Sequence, residues 1–167
     1  LVEVALFFPI LIFFLAGMVE MSNLLVTQNR VTNASRMSAG YGAANLNPND
    51  WDTTADGMGI VAINTVTETL DLEPDFWDIY AIRALTNADG SDFVVFEAAH
   101  AYGNHRVVPT TTWASRESAV RADMLADLQT WPDGANNLEV VASVPFYEVD
   151  TIIGLPLWQW AGLRQVQ

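Results

Sequence analysis

The sequence contains no cysteine and no lysine, and these two absences exclude several classes of protein. Without cysteine, the chain can form neither a disulfide framework nor a thiolate metal site. Seven arginines stand against twenty acidic residues, so the formal net charge is -13 at pH 7. Such a chain repels nucleic-acid phosphates, and no basic stripe offsets that repulsion. We therefore expect no nucleic-acid partner, and the composition favours a protein exposed at the cell surface.

Catalytic motifs are missing as well. His100 and His105 are the only histidines, and Ser91 and Asp92 are the nearby residues from which a hydrolase would have to be built. None of the four lies in a Gly-x-Ser-x-Gly elbow or a His-Glu-x-x-His frame, the contexts that activate such side chains. We therefore expect both histidines to face solvent or lie in loops, and we expect neither an enzyme nor a cofactor.

The acidic, lysine-free composition suggests a saline or halophilic habitat. Because salt shortens the range over which like charges repel, a surface of this kind suits water of high ionic strength. Dialysis of the folded protein to low salt tests this hypothesis, and unchanged stability would contradict it.

What the chain does have is an apolar N-terminal segment. Residues 1–19 are apolar apart from Glu3 and Pro9, and the sixteen residues 4–19 carry no charge. A helix of that length spans roughly 24 Å, so it crosses the ~30 Å hydrocarbon core of a membrane only with the help of flanking residues. An ordinary secretory signal is removed on cleavage, so we expect this segment to belong to the mature protein.

Beyond Glu20 the pattern changes rather than ends. One set of residues recurs at helical spacing among Asn, Gln and Arg: Leu24, Leu25, Gln28, Val31, Thr32, Ser35 and Ala39. This periodicity predicts one continuous helix over residues 1–44, apolar on all sides in its first half and on one face in its second. Residues 45–167 are enough for one globular domain.

Glu3 and Pro9 are the two exceptions in the apolar segment. A carboxylate deep in lipid costs on the order of 2.5–3.5 kcal/mol. Glu3 therefore either lies at the headgroup boundary, where the helix dipole favours it, or pairs with an α-ammonium group of its own or a neighbouring subunit. Pro9 has no N–H, which leaves the carbonyl of Ala5 unpaired and predicts a point where the helix kinks or loosens.

Bundling with identical helices would bury the apolar segment. A head-to-tail stacking that does not close generates an open helical fibre. We expect the subunit contacts to involve Leu1, Glu3, Phe7, Phe8, Pro9, Phe13 and Phe14.

Residues 45–167 show the pattern of an α+β domain. Residues 45–59 predict a linker, and residues 58–72 and 115–131 predict helices. Four strands are predicted at residues 76–85, 93–99, 138–149 and 158–166, the first two joined by an Asp89-Gly90 hairpin turn. An antiparallel sheet of about four strands, packed on one or two helices and attached to the long N-terminal helix, is the fold class we expect. The domain core is expected to contain Trp77, Trp113, Trp131, Trp158 and Trp160.

Two acidic loops offer oxygen ligands for calcium. Their candidate ligands are Asp50, Asp52 and Asp56, with Asn47 and Asn49, in the first loop, and Asp89 and Asp92, with Asn87, in the second. Neither loop has EF-hand spacing, and helix termination and a hairpin turn explain the same residues, so we favour those explanations. Asn33 begins the Asn-x-Ser glycosylation sequon of the chain and requires an outward-facing position on the helix.

The N-terminal residues also carry a family resemblance. Three segments contribute to it: Glu3-Val4-Ala5-Leu6 followed by Pro9 and a Leu/Phe run, Gly17-Met18-Val19-Glu20, and Gln28-Asn29-Arg30-Val31-Thr32-Asn33-Ala34. They resemble the signature of TadE-like pseudopilins, from the Tad branch of type IV pili. That signature has a Val-Glu-Phe-Ala start, an apolar run with Pro, a Gly-x-x-Glu step and a Gln-rich helix. Residues 138–146 are similar to the family's Val-x-Val-x-Tyr-Pro-Phe strand.

The resemblance implies a pilin-like protein that the prepilin peptidase processes. Its N-terminal helix would be inserted in the cytoplasmic membrane before the pilus assembly machinery moves the subunit into an extracellular filament of identical copies. Two alternatives stay open at this point. The chain would otherwise be a minor TadE-like pseudopilin that initiates or tips a filament, or a monomeric membrane-anchored surface domain that binds a ligand.

Overall fold

The computed structural model describes residues 2–66, 70, 73–131 and 135–149, with side chains from residue 7 onward. Three α-helices are present in this part of the chain: α1 (Val2–Ala44), α2 (Trp51–Val66) and α3 (Thr110–Gln129). Three strands accompany them: β1 (Trp77–Thr86), β2 (Phe93–Gly103) and β3 (Glu139–Tyr147), with a short 3-10 turn at Pro74–Phe76 before β1. The α+β fold class is confirmed, and the fourth predicted strand, at residues 158–166, lies outside the described residues.

The three strands form an antiparallel sheet in the order β2-β1-β3. Because successive side chains of a strand point to opposite faces, β1 contributes to two layers of core. Ile79 packs with Val31 of α1 and Ala62 of α2 on one face, whereas Tyr80 packs with Trp113 of α3 on the other. The sheet is therefore covered by α1 and α2 on one side and by α3 on the other.

The β1–β2 hairpin forms where the sequence predicts it. Gly90 adopts a φ of 70°, the left-handed conformation that its turn requires. The backbone N–H of Asn87 donates to the carbonyl of Asp92 and closes the turn at 2.9 Å. Strand β2 continues to Gly103, four residues beyond its predicted end.

The predicted bounds of the two later helices were wrong. Helix α2 begins at Trp51, inside the predicted linker, and ends at Val66. Packing overrides the turn-forming Asn, Asp and Thr residues, because Trp51, Ala55 and Met58 form one buried face against the sheet. Helix α3 begins at Thr110 rather than residue 115, since the carbonyl of Pro109 accepts the N–H groups of Thr112 and Trp113.

The tryptophan prediction was correct in part. Trp77 and Trp113 are buried in the core, as expected. Trp131 is 52 % exposed and lies just beyond the end of α3 at Gln129. Trp158 and Trp160 lie outside the described residues.

Candidate assembly helix

Helix α1 is a single element with two different environments. Its 43 residues extend about 65 Å at ~1.5 Å per residue, longer than the globular part can cover. We call residues 2–19 the projecting half and residues 20–44 the packed half. The continuous helix predicted for residues 1–44 is thereby confirmed from Val2 onward.

The projecting half exposes large apolar side chains on every side. Phe7 and Phe14 are each 65 % exposed. The exposed set, which continues one turn and more into the packed half, is Phe7, Phe8, Ile10, Leu11, Ile12, Phe13, Phe14, Leu15, Met18, Val19, Met21, Leu25 and Val26. A continuous apolar surface of this kind marks a site of contact with protein or membrane, whereas scattered apolar residues do not.

The packed half meets the domain through small and polar residues. Glu20 is only 2 % exposed, and the buried face continues with Thr27, Val31, Ala34 and Ser38. The hydroxyl of Ser38 donates to the carbonyl of Met58 at 2.9 Å. The hydroxyl of Ser35 likewise donates to the carbonyl of Ser143 at 2.6 Å. These contacts hold α1 against both α2 and β3, so the domain fixes the direction in which the projecting half extends.

Several predicted assembly residues have a described position. Phe7, Phe8, Phe13 and Phe14 are all exposed on α1. Leu1 and the side chain of Glu3 lie outside the described residues. Helix α1 runs unbroken through Pro9, so the kink or loosening at this residue stays a prediction for the transfer from lipid to filament.

The residues of the first predicted calcium loop lie partly before α2 and partly on that helix. Asp50 precedes α2, and Asp52 and Asp56 are exposed on the surface of that helix. The backbone N–H of Asn49 donates to the Asn47 side-chain oxygen at 3.2 Å, a local contact that shapes the turn. Calcium binding here stays the less favoured alternative to the structural explanation.

The second predicted calcium loop is the β1–β2 turn, where the carboxylates already accept hydrogen bonds. Asp89 accepts from the hydroxyl and the backbone N–H of Ser91, and these two bonds lower the pKa of its carboxyl. Asp92 accepts from Arg121 at 2.9 Å and from the N–H of Phe93 at 2.7 Å, which lowers its pKa in the same way. The turn explains both residues without an ion.

The structure also describes the predicted glycosylation residue and the two histidines. Asn33 is exposed on α1, so its side chain has the outward orientation that glycosylation would require. His105 lies in the loop after β2, as expected. The prediction for His100 was wrong, because this residue lies within β2 and is half-buried. Its hydrogen-bond partner Asp78 is 22 residues away in sequence and lies on the neighbouring strand β1, so no local motif signals this contact.

The described part of the chain is therefore an α+β domain attached to a projecting apolar helix. By length and composition, α1 qualifies as a membrane-crossing helix over Phe7–Ala44, with 11 % of its most apolar window buried. Residues 1–39 match the family model of TadE-like proteins, which confirms the resemblance for that segment of the 167-residue chain. Neither a curated protein nor a solved structure matches the chain significantly.

The family match ends inside α1, so it covers the projecting half and most of the packed half. It indicates a pilin-like protein associated with the Tad pilus and its machinery. Together with α1, it also indicates a membrane-anchored protein of surface pili.

Proposed function

We propose that this chain is a structural subunit that polymerises through α1 into an extracellular, cell-surface filament of the Tad type. The observation that supports the proposal is the apolar surface of the projecting half, from Phe7 to Val19, which the domain leaves uncovered. Each large apolar side chain that becomes buried stabilises the assembly by ~1.5–3 kcal/mol. A bundle of projecting halves from many subunits would bury this surface on all sides.

The same surface accounts for a membrane-held precursor. Lipid tails and a helix bundle both shield apolar side chains from water, so one segment serves before and after assembly. Transfer from membrane to filament would then exchange lipid contacts for helix contacts, with the domain carried outside. The prepilin peptidase and the pilus assembly machinery are the partners that this route requires, and the role of the chain is structural rather than catalytic.

The proposed filament requires a head-to-tail contact whose rotation does not close a ring. The projecting half lies at one end of the molecule and the domain at the other, so identical contacts stack subunits in one direction. Such a heterologous contact extends without limit unless its rotation closes a ring.

The experiment is electron microscopy of material sheared from cells that produce the chain, with mass spectrometry of its subunits and their N-termini. Abundant uniform filaments made mostly of this chain are the expected result. If the chain occurs only in traces beside another pilin, it is a minor subunit that initiates or tips the filament. If it stays with the membrane as a detergent-stable monomer, it is an anchored surface domain and the proposal is wrong.

A further inference from the structure

Asp78, His100 and His105 form a cluster on the face of the sheet that α3 covers, away from α1. One potential ligand atom from each residue lies within 4.8 Å of the other two. Strand β1 supplies Asp78, strand β2 supplies His100, and the loop after β2 supplies His105. We call these three residues the imidazole–carboxylate cluster.

A tight reversal of the backbone assembles the cluster. Gly103 is paired with Asp78 across the two strands and has a φ of 113°. A side chain at this position would collide with the Trp77 carbonyl and with the Asp78 carboxylate, so only glycine permits the approach. His105 also adopts a positive φ, 63°, which turns its backbone N–H toward the carboxylate.

Buried donors hold the Asp78 carboxylate in a fixed orientation. Asp78 is completely buried. Its Oδ1 accepts from the backbone N–H of His105 at 2.8 Å, and its Oδ2 accepts from that of Val108 at 2.7 Å. Because an ionised carboxylate accepts about four hydrogen bonds, capacity remains on Oδ1, where His100 Nε2 lies 2.8 Å away.

Aromatic neighbours orient the two imidazole rings. The rings of His100 and His105 stack at 3.8 Å, and the hydroxyl of Tyr80 lies 3.1 Å from His105 Nδ1. Tyr80 is itself stacked on Trp113 at 3.7 Å, which fixes its position. Burial, and then the charge of Asp78, raises the pKa of Tyr80 to about 12, so its hydroxyl stays protonated at neutral pH.

We propose that the imidazole–carboxylate cluster binds a divalent transition-metal ion of the zinc class. Two imidazoles and a carboxylate are the donor types that zinc prefers in the absence of thiolates, and this chain has no cysteine. The backbone donors to Asp78 and the Tyr80 hydroxyl beside His105 are the outer contacts that orient metal ligands.

The ion would lie between His100 Nε2 and Asp78 Oδ1. Ligand atoms around a tetrahedral zinc with bonds of ~2.0–2.1 Å lie about 3.3 Å apart. The 2.8 Å contact between His100 Nε2 and Asp78 Oδ1 therefore has to open by roughly half an ångström, which a small ring rotation provides.

The surrounding charge favours a cation. His100 also lines an open cavity of about 470 Å³, whose lining includes the acidic residues Asp52, Asp56 and Glu97, the last of them ion-paired with Arg83. A cleft lined by charge of one sign raises the local concentration of the opposite ion. The imidazole nitrogens, in turn, select against magnesium and calcium, which prefer oxygen ligands.

The test uses the full chain in detergent, stripped with EDTA and titrated with Zn²⁺ at neutral pH. We expect one Zn²⁺ per chain, with micromolar or tighter affinity. We also expect a rise in Tm that equimolar Mg²⁺ does not produce, and shifts of the ring ¹⁵N resonances of both histidines. Because the chain has only two histidines, those resonances are read without mutation. Substoichiometric binding, or unchanged resonances at either histidine, would overturn the proposal.

Two variants keep the local fold while they remove a ligand. His100→Gln retains an N–H donor for Asp78, and His105→Asn retains a residue type that tolerates positive φ. Each should weaken Zn²⁺ binding by at least about tenfold. The control is Asp127→Asn, which removes an exposed carboxylate on α3, outside both the cluster and the cavity, and should change the affinity little.

Two results with these variants would also overturn the proposal. Wild-type affinity in His100→Gln or His105→Asn would show that the imidazoles are not ligands. An equal loss in Asp127→Asn would show diffuse attraction to acidic groups. If a histidine variant does not fold, the wild-type ¹⁵N resonances decide the question.

Discussion

The projecting and packed halves of α1 differ in a way that reverses the usual relation between hydrophobicity and burial. The projecting half is the more apolar, yet its phenylalanine, leucine and isoleucine side chains are exposed. The packed half contains more polar residues, yet Glu20, Thr27 and Ser38 are among its buried ones. Within one helix, burial therefore follows the presence of a fitting partner surface rather than side-chain hydrophobicity.

Side-chain size explains the packed half. Ala34, Ser38 and Gly42 are small, so the helix backbone approaches α2 and β3 closely. The hydroxyls of Ser35 and Ser38 donate to carbonyls of the domain, so the packing of α1 leaves neither of these two groups unpaired. The large side chains of the projecting half find no complementary surface on the domain. We expect contacts with other subunits to bury them on assembly.

The largest effect should come from a charge in the projecting half. Phe14→Glu places a carboxylate where lipid or a helix bundle is expected, at a cost of roughly 2.5–3.5 kcal/mol, so filament yield should fall by ~100-fold. Stability of the domain should not change, because Phe14 is exposed. Immunoblots of sheared and cell-bound fractions, with thermal unfolding of the purified chain, provide the measurement.

The matched control for this change is Met37→Glu. Met37 is 58 % exposed on the packed half, so the same type of substitution falls outside the proposed assembly surface. Its filaments should appear at near wild-type yield. Equal loss in both variants, or normal filaments in Phe14→Glu, would remove the functional distinction between the halves.

Replacing one glycine in each half of α1 by alanine compares the packing of the two halves through the stability of the protein. A methyl group at Gly42 would lie 2.5 Å from Met58 Sδ and 2.7 Å from Val141 Cγ1, whereas one at Gly17 meets nothing within 4 Å. Gly42→Ala should therefore lower the free energy of unfolding by ~1–3 kcal/mol through overpacking. Gly17→Ala should cost nothing and raise helix stability by up to about 1 kcal/mol. Urea unfolding measures both, and equal stabilities would contradict the assignment of the halves.

High pH should lower the stability of the domain, and the projecting half should not contribute to this effect. The pKa of Tyr80 rises from 10.0 to about 12 on folding. A raised pKa contributes stability that is complete below pH 10 and is lost as the pH rises through 12. We expect unfolding free energy to fall by up to about 3 kcal/mol across that range.

Ultraviolet titration of tyrosinate and urea unfolding at increasing pH test this expectation. Tyr80→Phe keeps the ring that stacks on Trp113 and should remove that part of the pH dependence. Residues 4–19 contain no titratable side chain, so no part of the effect is expected from them. If Tyr80→Phe kept the pH dependence of the wild-type protein, a group other than Tyr80 would be responsible for that dependence.

The smallest effect concerns the β1–β2 turn. Asp92 has a lowered pKa, first because Arg121 donates to it and then because Phe93 N–H does, whereas Ser91 lowers the pKa of Asp89. The resulting stability is present above the ordinary aspartate value of 3.8 and is lost as the pH falls through the lowered pKa values. Arg121→Gln should raise the pKa of Asp92 toward 3.8 and leave Asp89 unchanged, as measured by carboxyl NMR titration. If Arg121→Gln raised the pKa of Asp89 as well as that of Asp92, the two pKa shifts would not have separate causes.

Local patterns predicted the elements whose signals lie close together in sequence. The length of α1, the three described strands and the Asp89-Gly90 turn follow from periodicity and from glycine conformation. The starts of α2 and α3 were wrong because Trp51 and Trp113 are anchored by tertiary contacts. Those contacts stabilise helical turns that the local sequence disfavours.

The sequence by itself determined that an apolar N-terminal helix would be joined to an acidic α+β domain, because charge and hydrophobic periodicity are local properties. Only the tertiary structure decided where the domain stops covering α1, since that depends on which small residues meet α2 and β3. It also decided that Asp78, His100 and His105 lie together. Their proximity arises from strand pairing and a backbone reversal at Gly103, so it is a property of the folded chain that no linear motif encodes.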